Sequence, residues 1–146
     1  MVDSRQKGKT FEYQVRDKLS EALGFKFERV PLSGSLPYLK GDIFIPHGDF
    51  PYVIECKHYK EIEWNNLLTA KTSTILEFWT QTIREAGQVN KKPLLIYKWN
   101  FSKLFACWND DVLTQNYVKV KTGDHEFTMA LFDDWVSAVK PILSKK

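Results

Sequence analysis

The chain has 146 residues, a length that favours one domain spanning residues 1–146 over two independent cores. With 43% hydrophobic and 27% charged residues the chain can bury a core, which excludes a disordered or collagen-like protein. A net charge of +3 and a pI of about 8.8 fall just short of a strongly basic nucleic-acid binder, and no run approaches the roughly 18 apolar residues of a membrane span.

The first third of the chain predicts a helix, a strand and a loop. Apolar residues recur every four positions in the helix, at Phe11, Val15, Leu19 and Leu23. Gly24 is placed to end this helix in a left-handed conformation. Alternation then predicts a strand over Phe25–Leu32, and glycine and proline predict a loop over Ser33–Lys40.

A hairpin and a long helical region follow. Two short β-type runs, Gly41–Ile45 and Tyr52–Lys57, flank the turn segment Pro46–Pro51. A helical region is expected over Trp64–Gly87, with a break near Thr72–Thr74. Its apolar face comprises Leu76, Trp79, Ile83 and Ala86.

The last third predicts strands over residues 93–99, 104–108, 117–121 and 126–131, and then a closing helix. The apolar positions of that helix are Phe132, Trp135, Val136 and Val139. The predicted order of elements is that of a mixed α/β layer architecture: helix, three strands, helix, strands and helix.

The first residues of the chain and its two cysteines indicate the cellular compartment. The first ten residues are polar and lack the apolar stretch of a secretory signal, so a soluble cytoplasmic protein without membrane contact is expected. Cys56 and Cys107 are too few for a disulfide framework and lack zinc-site spacing. We therefore expect both thiols to be reduced.

A basic and aromatic stretch lies between Ala86 and Asn109, where the chain has no acid. Its cations are Lys91, Lys92, Lys98 and Lys103, and its rings include Trp99, Phe101, Phe105 and Trp108. Two interpretations stay open: a surface that contacts nucleic acid, or a solvated face whose lysines protect an edge strand from aggregation.

The register of the hairpin follows from its turn. If Gly48 and Asp49 lie at the centre, the numbers of cross-strand partners sum to 97, so Asp42 faces Glu55. Directly opposed residues have Cβ atoms about 4.5 to 5.5 Å apart. Lys57 lies two residues beyond Glu55 and therefore on the same face. Three ionisable groups converge on one patch among apolar neighbours.

Two close carboxylates in such surroundings need a cation, because burying them unpaired costs several kcal/mol. Mg²⁺ suits the patch, since it takes oxygen ligands and needs only one or two protein carboxylates. The alternative is a salt bridge from Lys57 to Glu55 or Asp42 on an exposed sheet face.

These residues resemble the PD-(D/E)xK nuclease superfamily, through Gly41-Asp42, twelve residues, and then Glu55-Cys56-Lys57, preceded by a helix that carries an acid. More narrowly, several segments are similar to archaeal-type Holliday junction resolvases: Lys7–Glu12, Arg29, Ser33–Ser35 and Lys92–Lys98. The resemblance covers about Lys7 to Trp99. The sequence departs from the family at Tyr13, where Arg is frequent, in a longer loop before Asp42, and at Gly41, which replaces a proline.

The resemblance implies a restriction-endonuclease-like fold, with a mixed central sheet flanked by helices, and Mg²⁺-dependent hydrolysis of phosphodiesters, for which Mn²⁺ could substitute. It implies catalytic roles for Glu12, Asp42, Glu55 and Lys57, with Glu12, Asp42, Glu55 and the backbone carbonyl of Cys56 around the metal. It also implies contacts to the DNA phosphates. The residues for these contacts are Arg29, Ser33, Ser35, Lys7, Lys9 and Lys60.

The expected function is a homodimeric, metal-dependent endonuclease that resolves four-way DNA junctions, because a two-fold dimer supplies two sites for two symmetric nicks. Lys91, Lys92 and Lys98 would form an outer track for DNA. Two alternatives remain: a restriction-like or repair nuclease of the same fold on duplex or single-stranded DNA, and a non-catalytic DNA-binding or assembly protein on a nuclease scaffold.

Overall fold

Seven strands form one sheet in a computed structural model that describes residues 4–31, 39–69 and 71–143, with side chains from Gly8 onward. The strands are β1 (Glu28–Arg29), β2 (Ile43–Phe44), β3 (Tyr52–Tyr59), β4 (Lys92–Trp99), β5 (Phe105–Trp108), β6 (Val118–Thr122) and β7 (His125–Leu131). Their order across the sheet is β1-β2-β3-β4-β5-β7-β6. Only β3 and β4 are parallel, and the other neighbours are antiparallel. The predicted mixed sheet is confirmed.

In the described ranges four helices flank the sheet: α1 (Ser4–Leu23), α2 (Trp64–Leu68), α3 (Thr74–Gln88) and α4 (Phe132–Leu143). Parallel strands need a crossover connection, and α2 and α3 supply it between β3 and β4. No helix within the described ranges is both long and apolar enough to cross a membrane.

The sheet separates two hydrophobic clusters, because alternate strand residues point to opposite faces. Leu94 and Ile96 of β4 pack in the cluster that contains the apolar faces of α1 and α4. Leu95 and Tyr97 pack in the cluster that contains α3. Helices therefore cover both faces of the parallel pair, where the candidate residues lie.

The helix ends follow their local chemistry. Gly24 has φ +79° and its N–H donates to the carbonyl of Ser20 at 3.0 Å, so α1 ends where the sequence predicted. The predicted break in the second helical region is also confirmed. There, the Ser73 side chain accepts a hydrogen bond from the N–H of Leu76 and caps α3.

Three details of the prediction were wrong. Of the strand expected over Phe25–Leu32, the part that the structure describes, up to Pro31, contributes only the two residues of β1, and Phe25 and Phe27 lie edge-on to the ring of Phe50. The strand expected over Gly41–Ile45 is reduced to β2. Ile83 is 41% exposed, and Thr82 takes its buried place because the Thr82 hydroxyl donates to the carbonyl of Phe78 at 2.7 Å.

Candidate active site

The hairpin has the register that the turn predicted. Ile43 of β2 pairs with Ile54 of β3, and these numbers sum to 97. The N–H of Asp42 donates to the carbonyl of Ile54 at 2.7 Å. Asp42 and Glu55 therefore lie across the hairpin from each other.

The Asp42 carboxylate is held by the backbone of β3. Its Oδ2 atom accepts a hydrogen bond from the N–H of Cys56 at 2.8 Å. The Asp42 side chain thus accepts an N–H of β3 that a longer β2 could have paired with a backbone carbonyl. A carboxylate fixed in this way needs little rearrangement to serve as a ligand.

The backbone conformation at position 41 explains why this chain has glycine where the family has proline before the aspartate. The φ of Gly41 is +86°, in the left-handed region, whereas proline is fixed near −65°. A Cβ atom here would lie 2.6 Å from the carbonyl oxygen of Ile54, too close for any side chain. The glycine also keeps an N–H that proline lacks, and that N–H donates to Oε1 of Glu85 at 3.3 Å.

Glu85, on α3, is a carboxylate that the sequence interpretation missed. Besides Gly41, its Oε2 atom accepts a hydrogen bond from Nε2 of Gln81, one helical turn earlier, at 2.9 Å. It is also hydrogen-bonded to Glu55, which is only 2% exposed. The available signal was the polar pair Gln81 and Glu85, four residues apart on the amphipathic helix that crosses from β3 to β4.

The electrostatics of this pair indicate a place for a cation. Burial raises the pKa of Glu55 well above its ordinary value, and the hydrogen bond to Glu85 and the charge of Asp42 raise it further. Burial alone would raise the pKa of Glu85 as well, but its hydrogen bonds with Glu55, Gln81 and Gly41 lower it. In the absence of a cation, the raised pKa of Glu55 favours its protonated form.

The donor set fits a small divalent ion. Asp42, Glu55 and Glu85 line a cleft of about 320 Å³, together with Lys40, Gly41, Gln81, Arg84 and Gln88. Among the described residues no three His, Cys, Asp or Glu side chains converge as a ready-made metal cluster. Two carboxylates supplemented by backbone oxygen and water are the set that Mg²⁺ accepts, whereas zinc sites use more protein ligands.

Lys57 and Cys56 point to opposite faces of β3. The Lys57 ammonium lies 5.1 Å from the centre of the Phe78 ring, on the α3 face with Glu55. Cys56 packs in the cluster with α1, and burial raises the pKa of its thiol. Both Cys56 and Cys107 are free thiols and buried. Cys56 can offer its backbone carbonyl to the site, but its thiol is not placed to act as a nucleophile.

Glu12 is joined to Arg29 rather than solvated on the helix surface. Nε of Arg29 donates to Oε1 of Glu12 at 2.9 Å, and the guanidinium lies 5.1 Å from the centre of the Tyr13 ring. Burial and the charge of Asp42 raise the pKa of Glu12, and Arg29 opposes this rise. Tyr13, at the position where the family often has Arg, thus supports Arg29.

The remaining predicted DNA contacts are only partly described. Lys9 and Lys60 are exposed. The side chain of Lys7, and both Ser33 and Ser35, lie outside what the structure describes.

The basic and aromatic stretch does not form one continuous track. Lys91 and Lys92, at the start of β4, are 3.2 Å from Asp49 and 3.4 Å from Asp110. Lys98 lies near the other end of β4, and Lys103 lies beyond it. Asp49 comes from a distant turn, so a local count of charge could not reveal it. Asp110 directly follows the stretch and reaches Lys92 across the hairpin of β4 and β5.

The fold and these residues define a PD-(D/E)xK nuclease class. A family model described as phage putative PDDEXK endonuclease matches residues 3–142, and the chain belongs to this family. The match extends well beyond Trp99, where the sequence resemblance had ended. The predicted superfamily is confirmed, and nucleases of this superfamily generally use divalent metal ions and act on DNA.

Two individual proteins are similar to the chain. Protein D14 of Escherichia phage T5 is 36% identical over 148 residues, which cover 92% of this chain and 92% of that protein. The structure of Archaeoglobus fulgidus Hjc, a Holliday junction resolvase from an archaeal hyperthermophile, has a TM-score of 0.47 and 18% identity. That alignment covers 92% of this chain and 98% of Hjc.

Proposed function

We propose that the protein is a Mg²⁺-dependent, structure-selective endodeoxyribonuclease that resolves four-way DNA junctions by paired hydrolysis of phosphodiesters. The observation that carries the proposal is the opposed pair of Asp42 and Glu55, with Lys57 on the face of Glu55, in a member of a nuclease family. The preference for a branched substrate is supported by the resolvase-like segments of the sequence.

Asp42, Glu55 and the carbonyl of Cys56 would hold the metal ion, with Glu12 bound to it directly or through water. Mn²⁺ would be accepted in place of Mg²⁺, because the donors are oxygen atoms. When bound, the ion lowers the pKa of bound water and neutralises negative charge on the phosphate.

The protein's own groups would then orient the reaction. The ammonium of Lys57 donates a hydrogen bond to the attacking water or to the phosphate oxygen on which negative charge develops. Arg29 uses one of its five N–H donors on Glu12, so others remain for a phosphate. Ser33, Ser35, Lys7, Lys9 and Lys60 would contact the backbone on either side.

We further propose a homodimer that works in the cytoplasm of a phage-infected host cell. Two symmetric nicks in a junction require two active sites at a fixed separation, which a two-fold dimer supplies. Its mass in solution at micromolar concentration should be about twice the 17.1 kDa of the chain. A monomer with full junction-resolving activity would contradict the dimer.

The test compares cleavage of a four-way junction with that of a linear duplex of matched sequence, with Mg²⁺ present or chelated. We expect paired nicks in the junction, with Mg²⁺ only. Asp42→Asn should abolish them and leave junction binding intact or tighter, because a negative charge beside the phosphate is lost along with a metal ligand. Asp49→Asn, on the exposed turn of the same hairpin, is the matched control and should cleave normally.

Other outcomes would replace the proposal. Equal cleavage of duplex or single strands would indicate a restriction-like or repair nuclease of the same fold. Tight DNA binding with no metal-dependent cleavage of any substrate would indicate a non-catalytic binding or assembly protein.

A further inference from the structure

The hairpin between β4 and β5 presents one aromatic side chain entirely to solvent. Phe101 lies at the tip of this hairpin and is fully exposed. It is one of two non-glycine residues with positive φ in the described ranges, at +65°. A bulky residue in this conformation is strained, and strained residues of this kind cluster at functional sites.

Hydrogen bonds and a ring stack define the turn that carries Phe101. The N–H of Ser102 donates to the carbonyl of Trp99 at 3.0 Å, and the Ser102 hydroxyl accepts from the N–H of Trp99 at 3.0 Å. Below the turn, the rings of Trp99 and Phe105 stack at 4.5 Å between centroids. The turn therefore places positive φ at its third position, where glycine is the usual residue.

The same tip carries positive charge and adjoins the strand of the candidate active site. Lys98 and Lys103 flank it, and no ion pair joins either to an acid among the described residues. The N–H of Asn100 donates to the carbonyl of Lys60, which directly follows β3. Lys57 is opposite Tyr97, which precedes Phe101 by four positions, so the chain from Tyr97 to Phe101 spans at most about 13 Å.

An exposed ring among lysines matches the chemistry of an unstacked nucleobase with its phosphates. We propose that Phe101 is a base-stacking residue that packs against a DNA base left unpaired or unstacked beside the cleavage site, a few nucleotides from the phosphate at Lys57. Lys98 and Lys103 bind the adjacent phosphates. The inference rests on the proposed function, because it takes DNA as the substrate. The feature of branched DNA that this surface recognises is the unpaired or unstacked base.

The test uses the full chain in EDTA and three DNA substrates that contain 2-aminopurine. In the four-way junction the probe stands at successive positions near the centre. A nick-free duplex and a single strand carry the same probe as controls. The wild type should change the fluorescence at one or two branch positions and not within the duplex. Phe101→Ala should remove this change and weaken junction binding by roughly tenfold or more. Phe101→Trp should retain both. Leu113→Ala, which removes an exposed apolar side chain elsewhere, is the matched control and should leave both unchanged.

Phe101→Gly separates a DNA-binding role from a structural one. Glycine adopts positive φ without strain, so the melting temperature of the Phe101→Gly variant should rise above that of the wild type. Its affinity for the junction should fall as in Phe101→Ala. The inference is overturned if Phe101→Ala matches the wild type in affinity and fluorescence, or if the wild type perturbs no 2-aminopurine in any substrate. It is also overturned if Phe101→Ala converts a dimer to a monomer, since the ring would then contact a second copy. Cleavage by the wild type with Mg²⁺ is measured separately, so a failure of the proposed function is recognised independently.

Discussion

The side chain of Glu55 on β3 is hydrogen-bonded to Glu85, which α3 brings from thirty positions later in the chain. Glu85 also accepts the N–H of Gly41, the residue before Asp42. One helical carboxylate thus contacts both β3, which carries Glu55, and the segment before β2, which carries Asp42. Because two ionised carboxylates are both acceptors, their buried contact needs either a shared proton or a bridging cation, and this links the state of the site to pH.

The first prediction is that the metal-free protein loses stability as pH rises. The pKa of Glu55 is raised in the folded state, so folding favours its protonated form. That contribution is fully present below the unfolded pKa of about 4.5 and is lost progressively at higher pH. Glu55→Gln should therefore be more stable than the wild type at pH 8 by about 1–3 kcal/mol, with little difference near pH 4.5.

Urea denaturation in EDTA between pH 4.5 and 8 measures this difference, and Mg²⁺ should stabilise the wild type but not Glu55→Gln. Glu77→Gln, on the exposed first turn of α3, is the control for the loss of one carboxylate away from the site. A Glu55→Gln variant no more stable than the wild type at pH 8 would show that the carboxyl is not held protonated in the metal-free fold.

The second prediction concerns Glu85 itself. Its charge faces the cleft, and its hydrogen bonds hold Gly41 and Glu55 in their relative positions. Glu85→Gln should weaken the binding of Mn²⁺ by about tenfold, as is usual when a partner of a metal ligand is changed. Electron paramagnetic resonance of free Mn²⁺ gives this affinity without reference to turnover. Glu77→Gln should bind as the wild type does, and equal affinity for Glu85→Gln would remove Glu85 from the site.

The hairpin half of the site could be predicted from the sequence because its geometry is local. A short turn sets which residues oppose each other, and a period of two then determines which side chains share a face. Asp42, Glu55 and Lys57 lie within sixteen consecutive residues, so no knowledge of distant packing was needed.

Glu85 could not be predicted in this way, because its position depends on how α3 docks on the sheet. The apolar pattern of α3 was itself misleading: Ile83 fits the stripe, yet Thr82 is the buried residue. A threonine whose hydroxyl bonds to the preceding turn can replace an apolar residue, and this rotates the inferred face. The ion pair of Lys91 was unpredictable for a similar reason, since Asp49 lies on a distant turn. The ion pair of Lys92 is local by contrast: Leu94 pairs with Trp108, and the same register carried two residues further brings Lys92 to Asp110.

The third prediction compares two glycines that both have positive φ. Gly24 ends α1 in open space, whereas Gly41 lies against the backbone of Ile54. Gly24→Ala should cost about 1–2 kcal/mol of unfolding free energy from backbone strain alone. Gly41→Ala should cost at least about 2 kcal/mol more, because its Cβ would overlap the carbonyl oxygen of Ile54. Chemical denaturation of both variants provides the comparison, and equal costs would show that the hairpin can open to admit a side chain.

The fourth prediction separates turnover from binding. Lys57 lies beside Glu55 over the Phe78 ring, where it would meet charge that develops only in the transition state. Lys57→Ala should therefore remove turnover and leave junction affinity nearly unchanged. Lys98→Ala should instead weaken binding of all junction sequences about equally and lower the slope of log affinity against log salt by roughly one unit.

Titration of both variants against one junction at several salt concentrations distinguishes the two roles, and single-turnover cleavage with Mg²⁺ supplies the rates. The wild-type salt slope provides the reference for each lost phosphate contact. If Lys57→Ala lost affinity in step with activity and with a reduced salt slope, its ammonium would be paired with a ground-state phosphate. Lys57 would then be a DNA-binding residue, and the water or the leaving oxygen would need a different proton partner.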